Sequence, residues 1–214
     1  MLKKTMAPKQ ERSRESLRRL IAAARAILNE KGLDGATVPR VAARAGLSPA
    51  SVYRRFPDKD ALMRSVVLET LQNYDEGNEA VLTPKLAKRG SLTTFAEKIV
   101  EQSLIGHRKN AGTLRAMTQF ILAHPSTAFK KKAAQISIRS LNRVADFLLL
   151  KRKEMNHPRP EEAVPFALTV VGFVLQEIVV LDALPEVQDP RLPKNDADLV
   201  RELTRVLLSY LGVS

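Results

Sequence analysis

Cysteine is absent from the 214 residues. Disulfides, thiolate metal sites and a cysteine nucleophile are therefore excluded. Histidine is scarce. His107, His124 and His157 lie on separate segments, and no HxxxH or HExxH spacing joins them. There is no glycine-rich phosphate loop and no GxSxG elbow. Carboxylates are scattered along polar stretches. No catalytic residue, metal or cofactor is assigned, and the chain is not expected to be an enzyme. The basic start, MLKKTMAPKQERSRES, is not followed by the apolar core of a secretory signal. The longest greasy segment, around Val164 to Leu184, is interrupted by Gln176, Glu177 and Asp182. On this reading it is too broken to span a bilayer, and a cytoplasmic location is expected.

Acidic charge is also in short supply. Thirty-five Lys and Arg face 23 Asp and Glu, a net charge of +12. The excess is uneven: residues 1–70 carry a net +8 and residues 71–214 a net +4. A basic concentration at one end is the electrostatic footprint expected of a nucleic-acid reading head.

The most informative stretch sits inside that basic end, ATVPRVAARAGLSPASVYRRFPDKDAL, from Ala36 to Leu62. Thr37 is placed to accept a free amide hydrogen of a first helical turn, and Pro39 falls where a missing N–H costs nothing. Val41, Ala42 and Ala45 supply an apolar stripe, and Gly46 suits the left-handed end of that helix. Ser48 caps a second helix with Pro49 at its first position. Val52 and Phe56 point inward at a spacing of four. Pro49, Ala50, Ser51, Tyr53, Arg54 and Arg55 are left to divide between groove and solvent. Pro57-Asp58 breaks the helix, and Asp58 caps the next. The order predicts a helix-turn-helix, whose second helix enters the DNA major groove.

These residues resemble the tetracycline-repressor (TetR) family of bacterial regulators, from about Leu17 to Val67. LRRLIAAARAILNEKGLDGATV is similar to that family's first helix and its approach to the second. VAARAGLSPASVYRRFPDKDALM is similar to its second and third helices and the start of the fourth. The resemblance implies that Thr37 caps its helix and touches a phosphate. It implies that Ser48, Pro49, Ala50 and Ser51 face base edges. Tyr53, Arg54 and Lys59 match phosphate contacts. One departure is visible. Pro39 stands where many members carry an Arg that reads a guanine, and Arg40 beside it is turned by about 100°. Arg40 stays among the DNA-facing residues without that aim. The base-facing set is small and mostly apolar, so none of it can form a bidentate pair with a base.

The remaining two-thirds predicts helices only, about nine in the whole chain. A first helix from roughly Ser13 to Lys31 is ended by Gly32. After the helix-turn-helix, one helix runs from about Lys59 to Leu82 and stops before Thr83-Pro84, and Ser91 caps the next, to about Ile105. Asn110 opens one to His124, Ser126 caps a longer one to about Asn156, PEVQDPRLPKND is a loop, and a last helix from about Asp196 to Leu211 is closed by Gly212. The expected fold is all-α: a three-helix head over residues 1–58 with a basic N-terminal arm (Lys3, Lys4, Lys9, Arg12), then a larger helical domain over residues 59–214. The helix from Pro160 to about Ala183 is apolar around most of its circumference, and such a helix is buried on more than one side. The resemblance implies that the larger domain binds a small-molecule effector and pairs its last two helices in a homodimer. Met117, Phe120, Phe147, Phe166 and Phe173 are the candidate effector-binding residues. Val174, Ile178, Leu203 and Leu207 are the candidate dimer contacts. The implied function is a dimeric repressor released from a palindromic DNA operator by a largely apolar ligand, with no membrane partner. An activator and a non-specific nucleoid-type DNA-binding protein stay open beside it.

Overall fold

The computed structural model describes residues 8–180 and 193–213, and among these the regular elements are helical. They are α1 (Pro8–Gly35), α2 (Val38–Arg44), α3 (Pro49–Tyr53), α4 (Lys59–Val81), α5 (Pro84–Ala87), α6 (Leu92–Lys109), α7 (Ala111–Ala123), α8 (Thr127–Leu149), α9 (Pro160–Leu175) and α10 (Asp196–Tyr210). A 3-10 turn spans Arg152–Glu154, and a π turn, Gln176–Val180, continues α9. The part of the basic arm before Pro8 and most of the loop PEVQDPRLPKND lie outside the described residues, whereas Lys9 and Arg12 of that arm fall within α1.

Local signals set most helix ends. Thr37, Ser48 and Ser91 accept the backbone N–H of Arg40, Ser51 and Thr94, as N-caps of α2, α3 and α6. Asp58 accepts from Ala61 N and Ser126 from Phe129 N, at the starts of α4 and α8. Positive φ occurs at Gly32, Gly46 and Gly212, each where glycine was expected to end a helix. Gly32 does so from within α1: its ψ of −168° breaks the regular path, and a short turn follows to Gly35.

Several boundaries differ from expectation: α1 starts at Pro8 rather than Ser13, and α6 reaches Lys109 rather than about Ile105. Thr83 caps a further short helix, α5, which the proline alone had marked as a stop. The helix expected to reach Asn156 ends at Leu149. The chain there turns through the 3-10 segment, whose Glu154 carboxylate accepts from Leu92 N at 2.7 Å. That long-range cap on α6 has no local sequence signal.

The chain forms two compact units. The first runs to Leu71 and takes in Gly112–Ala133; the second comprises Gln72–Ala111 and the residues from Ala134 onward. In the first, Leu20, Ala24, Ile27 and Leu28 of α1 face Val41 and Ala42 of α2, Val52 of α3, and Leu62, Met63 and Val66 of α4, all buried. Each fully buried Leu, Ile or Met contributes about 1.5–3 kcal/mol over leaving it exposed. A smaller cluster joins Val67, Met117 and Phe129.

In the second unit α9 and α10 pack on each other and on α6. Phe95 of α6 meets Phe147 of α8 edge-on, ring centres 5.0 Å apart. Asp75 is buried, yet it is not stranded. Its two oxygens receive Arg139 Nε and Arg143 Nε, both at 2.7 Å. A buried carboxylate is tolerated when both oxygens are paired in this way. By length and composition the helix over Pro160–Val180 could cross a membrane, contrary to the view that its polar residues break it too often. Close to half of it is buried against neighbouring helices of this unit, which gives its apolar character a second cause.

Candidate nucleic-acid interface

α3 has only five residues, so its position depends on its supports. Val52, essentially buried, plugs it into the head core, and Phe56 packs against the same cluster. Arg55 reaches back to α1, where its Nη2 donates to both the carbonyl and the hydroxyl of Ser13. Arg44 of α2 forks onto Glu30 of α1 at 2.6 and 2.7 Å. The Arg44 hydrogen bond draws the Glu30 carboxyl below its ordinary range, and the same bond raises Arg44.

What remains facing solvent is Thr37 and Arg40 from α2, with Ser48, Pro49, Ala50, Tyr53 and Arg54 around α3. Tyr53 is 49% exposed. Ser51 is half-buried. Its hydroxyl lies 2.8 Å from that of Ser48 and accepts from Arg54 Nη2 at 3.2 Å. Two of the basic candidates are tied back onto α1. Arg40 Nη1 donates to the Gly35 carbonyl at 2.6 Å, and Lys59 Nζ to the Leu33 carbonyl at 2.9 Å. Each cation therefore closes the C-terminal end of α1, which favours positive charge. The roles of Arg44 and Arg55 as ties to α1 were not visible in the sequence, because their partners lie 14 and 42 residues away.

This arrangement of two capped helices joined through Gly46 falls within a recognised domain: residues 20–66 match bacterial regulatory proteins of the tetR family. The match is confined to the helix-turn-helix head and the helices that flank it. An HTH-type transcriptional regulator of Mycobacterium tuberculosis, Rv0767c, is 30% identical over 103 residues, 48% of this chain and 48% of that protein. The chain thus spans about half the length of the curated relatives it matches. The fold match is longer. A TetR-family transcriptional regulator from Mesorhizobium loti aligns over 94% of this chain and 97% of its own, with a TM-score of 0.72 and 21% identity. The regulator FadR from Bacillus subtilis, in complex with stearoyl-CoA, aligns over 91% and 97%, with a TM-score of 0.63 and 17% identity.

The other TetR-type candidate residues are dispersed. Met117 and Phe120 belong to the first unit, beside Val67 and Phe129. Phe147 is buried against Phe95 in the second. Phe166 and Phe173 are 57% and 71% exposed in the single chain. The dimer candidates differ in burial. Leu203 and Leu207 are 6% and 0% exposed, consumed by the core of their own unit. Val174 and Ile178 are half-buried. The apolar side chains that α9 and α10 leave uncovered are Phe166, Phe173, Val206 and Tyr210, with Phe166 and Tyr210 in ring contact at 5.7 Å. Helical periodicity identified an apolar stripe, but each helix has two, and only packing shows which one the chain itself covers. Among the described residues no group of three His, Cys, Asp or Glu is placed to hold a metal ion.

Proposed function

We propose that this protein is a cytoplasmic, sequence-specific DNA-binding regulator, acting as a homodimeric repressor that a small, largely apolar ligand releases from a palindromic operator. The observation that carries the reading is the short helix α3. It is capped, plugged into a core by Val52, clamped by Arg55, and lined on its free side by Pro49, Ala50, Tyr53 and Arg54. A rigidly supported helix with an exposed tyrosine in a basic head suits insertion into the major groove.

The chemistry divides in two. Thr37, Tyr53, Arg54 and the start of α4 meet phosphates, which fix register without reading sequence. Ser48, Pro49, Ala50 and Ser51 face the bases, where small side chains touch thymine methyls or make single hydrogen bonds. Two heads spaced one helical turn apart need a two-fold dimer. The exposed Phe166, Phe173, Val206 and Tyr210 are an apolar face of the kind such a dimer covers. A ligand that binds the DNA-incompetent spacing better lowers operator affinity by its differential affinity for the two states. That the similarly folded FadR holds stearoyl-CoA supports an effector with a long apolar part.

The test is titration of the full chain onto labelled DNA from upstream of its own gene, with excess random competitor at physiological salt. A competitor-resistant complex on a short palindrome, preferred by about 10³ or more, supports the regulator. Equal loss of binding on every sequence points to a non-specific coating protein.

A further inference from the structure

His124 follows Ala123, the last residue of α7, and precedes Pro125, where helix cannot continue. Its ring is wedged between Phe120 and Phe129, centres 5.3 and 4.8 Å away, and the residue is 8% exposed. Ser126 N donates to Nδ1 at 3.0 Å. Nδ1 is therefore the acceptor, and the ring proton sits on Nε2. Nε2 lies 3.0 Å from Asp60 Oδ1, within reach of a hydrogen bond. The other Asp60 oxygen pairs with Arg64 Nε at 2.8 Å.

Asp60 lies in the first turn of α4, next to Lys59 and the capping Asp58. A continuous run of polar contacts thus joins the start of α8 to the start of α4: Phe129 N to Ser126 and Ser126 N to His124 as hydrogen bonds, then His124 to Asp60 at 3.0 Å. A leucine would fill the slot between the two phenylalanines without polar atoms to satisfy. Asp60 is half-exposed and already paired with Arg64, so the bond adds little to stability. What it supplies is direction.

We propose that His124 is a positioning residue for DNA binding. By donating to Asp60 it holds the first turn of α4 where that turn meets the DNA backbone. This rests on the DNA-binding reading above. The residue touches no DNA itself and acts from the opposite end of a helix that the sequence places in the effector domain.

Asn and Gln separate the two functions of the ring. In His124→Asn the side-chain oxygen can still accept from Ser126 N, but nothing reaches Asp60. In His124→Gln the amide nitrogen extends to the Nε2 position. The probe is the duplex that the wild-type full chain enriches most strongly from a library randomised over its centre. His124→Asn should bind that duplex roughly ten-fold more weakly. Its slope of log affinity against log salt should be shallower by about one phosphate contact. His124→Gln should recover both affinity and slope. Equal behaviour of the two variants, whether both match the wild type or both are weakened, overturns the role.

If His124→Asn does not fold, the contact is read from its other side. Asp60→Asn keeps an oxygen for Nε2–H to donate to, and should match the wild type. Asp60→Ala does not, and should be weak with the shallower slope. Equal affinities for these two also overturn the role. A wild-type chain that enriches no duplex overturns the DNA-binding reading and this role with it.

Discussion

A Cβ at Gly112 would stand 2.2 Å from the carbonyl oxygen of Asn29, so α7 and α1 meet backbone to backbone. The contact is locked on both sides. Thr113 N donates to Asn29 Oδ1 at 3.1 Å, and the buried Thr113 hydroxyl donates to the Arg25 carbonyl at 3.0 Å. A helix that follows α6 of the second unit in sequence is thereby part of the first unit in space.

Gly112→Ala should therefore destabilise the head. The clash is with backbone, which cannot swing aside like a side chain, so the cost should be about 1–3 kcal/mol. In a chain of this length each kcal/mol lowers the melting temperature by about 2–4 °C. Scanning calorimetry of the variant reads this directly. An unchanged Tm would mean that α7 can slide off α1 freely.

Dimerisation should respond to Phe173 and not to Leu207. Phe173→Glu places a charge on an exposed apolar face and should give folded monomers by sedimentation velocity. Leu207→Glu places a charge in a fully buried site, at a cost of several kcal/mol, and should unfold the second unit. Dimers that persist in Phe173→Glu, with helicity unchanged, would remove this face from the interface.

Tyr53 and Ser51 should separate affinity from specificity. Tyr53→Phe deletes one hydroxyl and should weaken binding to every sequence by about five-fold, the worth of one hydrogen bond. Ser51→Ala should instead alter the preferred sequence, and it also releases Arg54 from its hydrogen bond. Binding selections on randomised duplexes with both variants test this. A Tyr53→Phe protein of wild-type affinity would remove the phosphate contact.

Acid should weaken the second unit through Asp75. Burial pushes this carboxyl up, but Arg143 and Arg139 outweigh it and hold the group below its ordinary value of 3.8. A group whose folded value is depressed stabilises the fold above its unfolded value and loses that contribution as pH falls through the folded one. The stability gap between wild type and Asp75→Asn should be full at neutral pH and shrink below about pH 4. Urea midpoints measured from pH 7 to pH 3 give the sign. A gap that widened in acid would contradict the pairing.

The sequence by itself determined the features whose cause lies within a turn of the residue concerned. Thr37, Ser48, Asp58, Ser91 and Ser126 cap because each reaches an amide three residues on. Gly32, Gly46 and Gly212 end helices because positive φ strains any residue with a Cβ. That was enough to read an all-helical chain with a helix-turn-helix near its start. Only the tertiary structure decided the rest. It turned Arg40 and Lys59 back onto α1 carbonyls, gave Arg55 to Ser13, buried Leu203 and Leu207, left Phe166 and Phe173 exposed, and joined His124 to Asp60. An arginine or an apolar stripe offers several satisfactory partners, and the choice is made by whichever distant element the fold brings within about 3–4 Å.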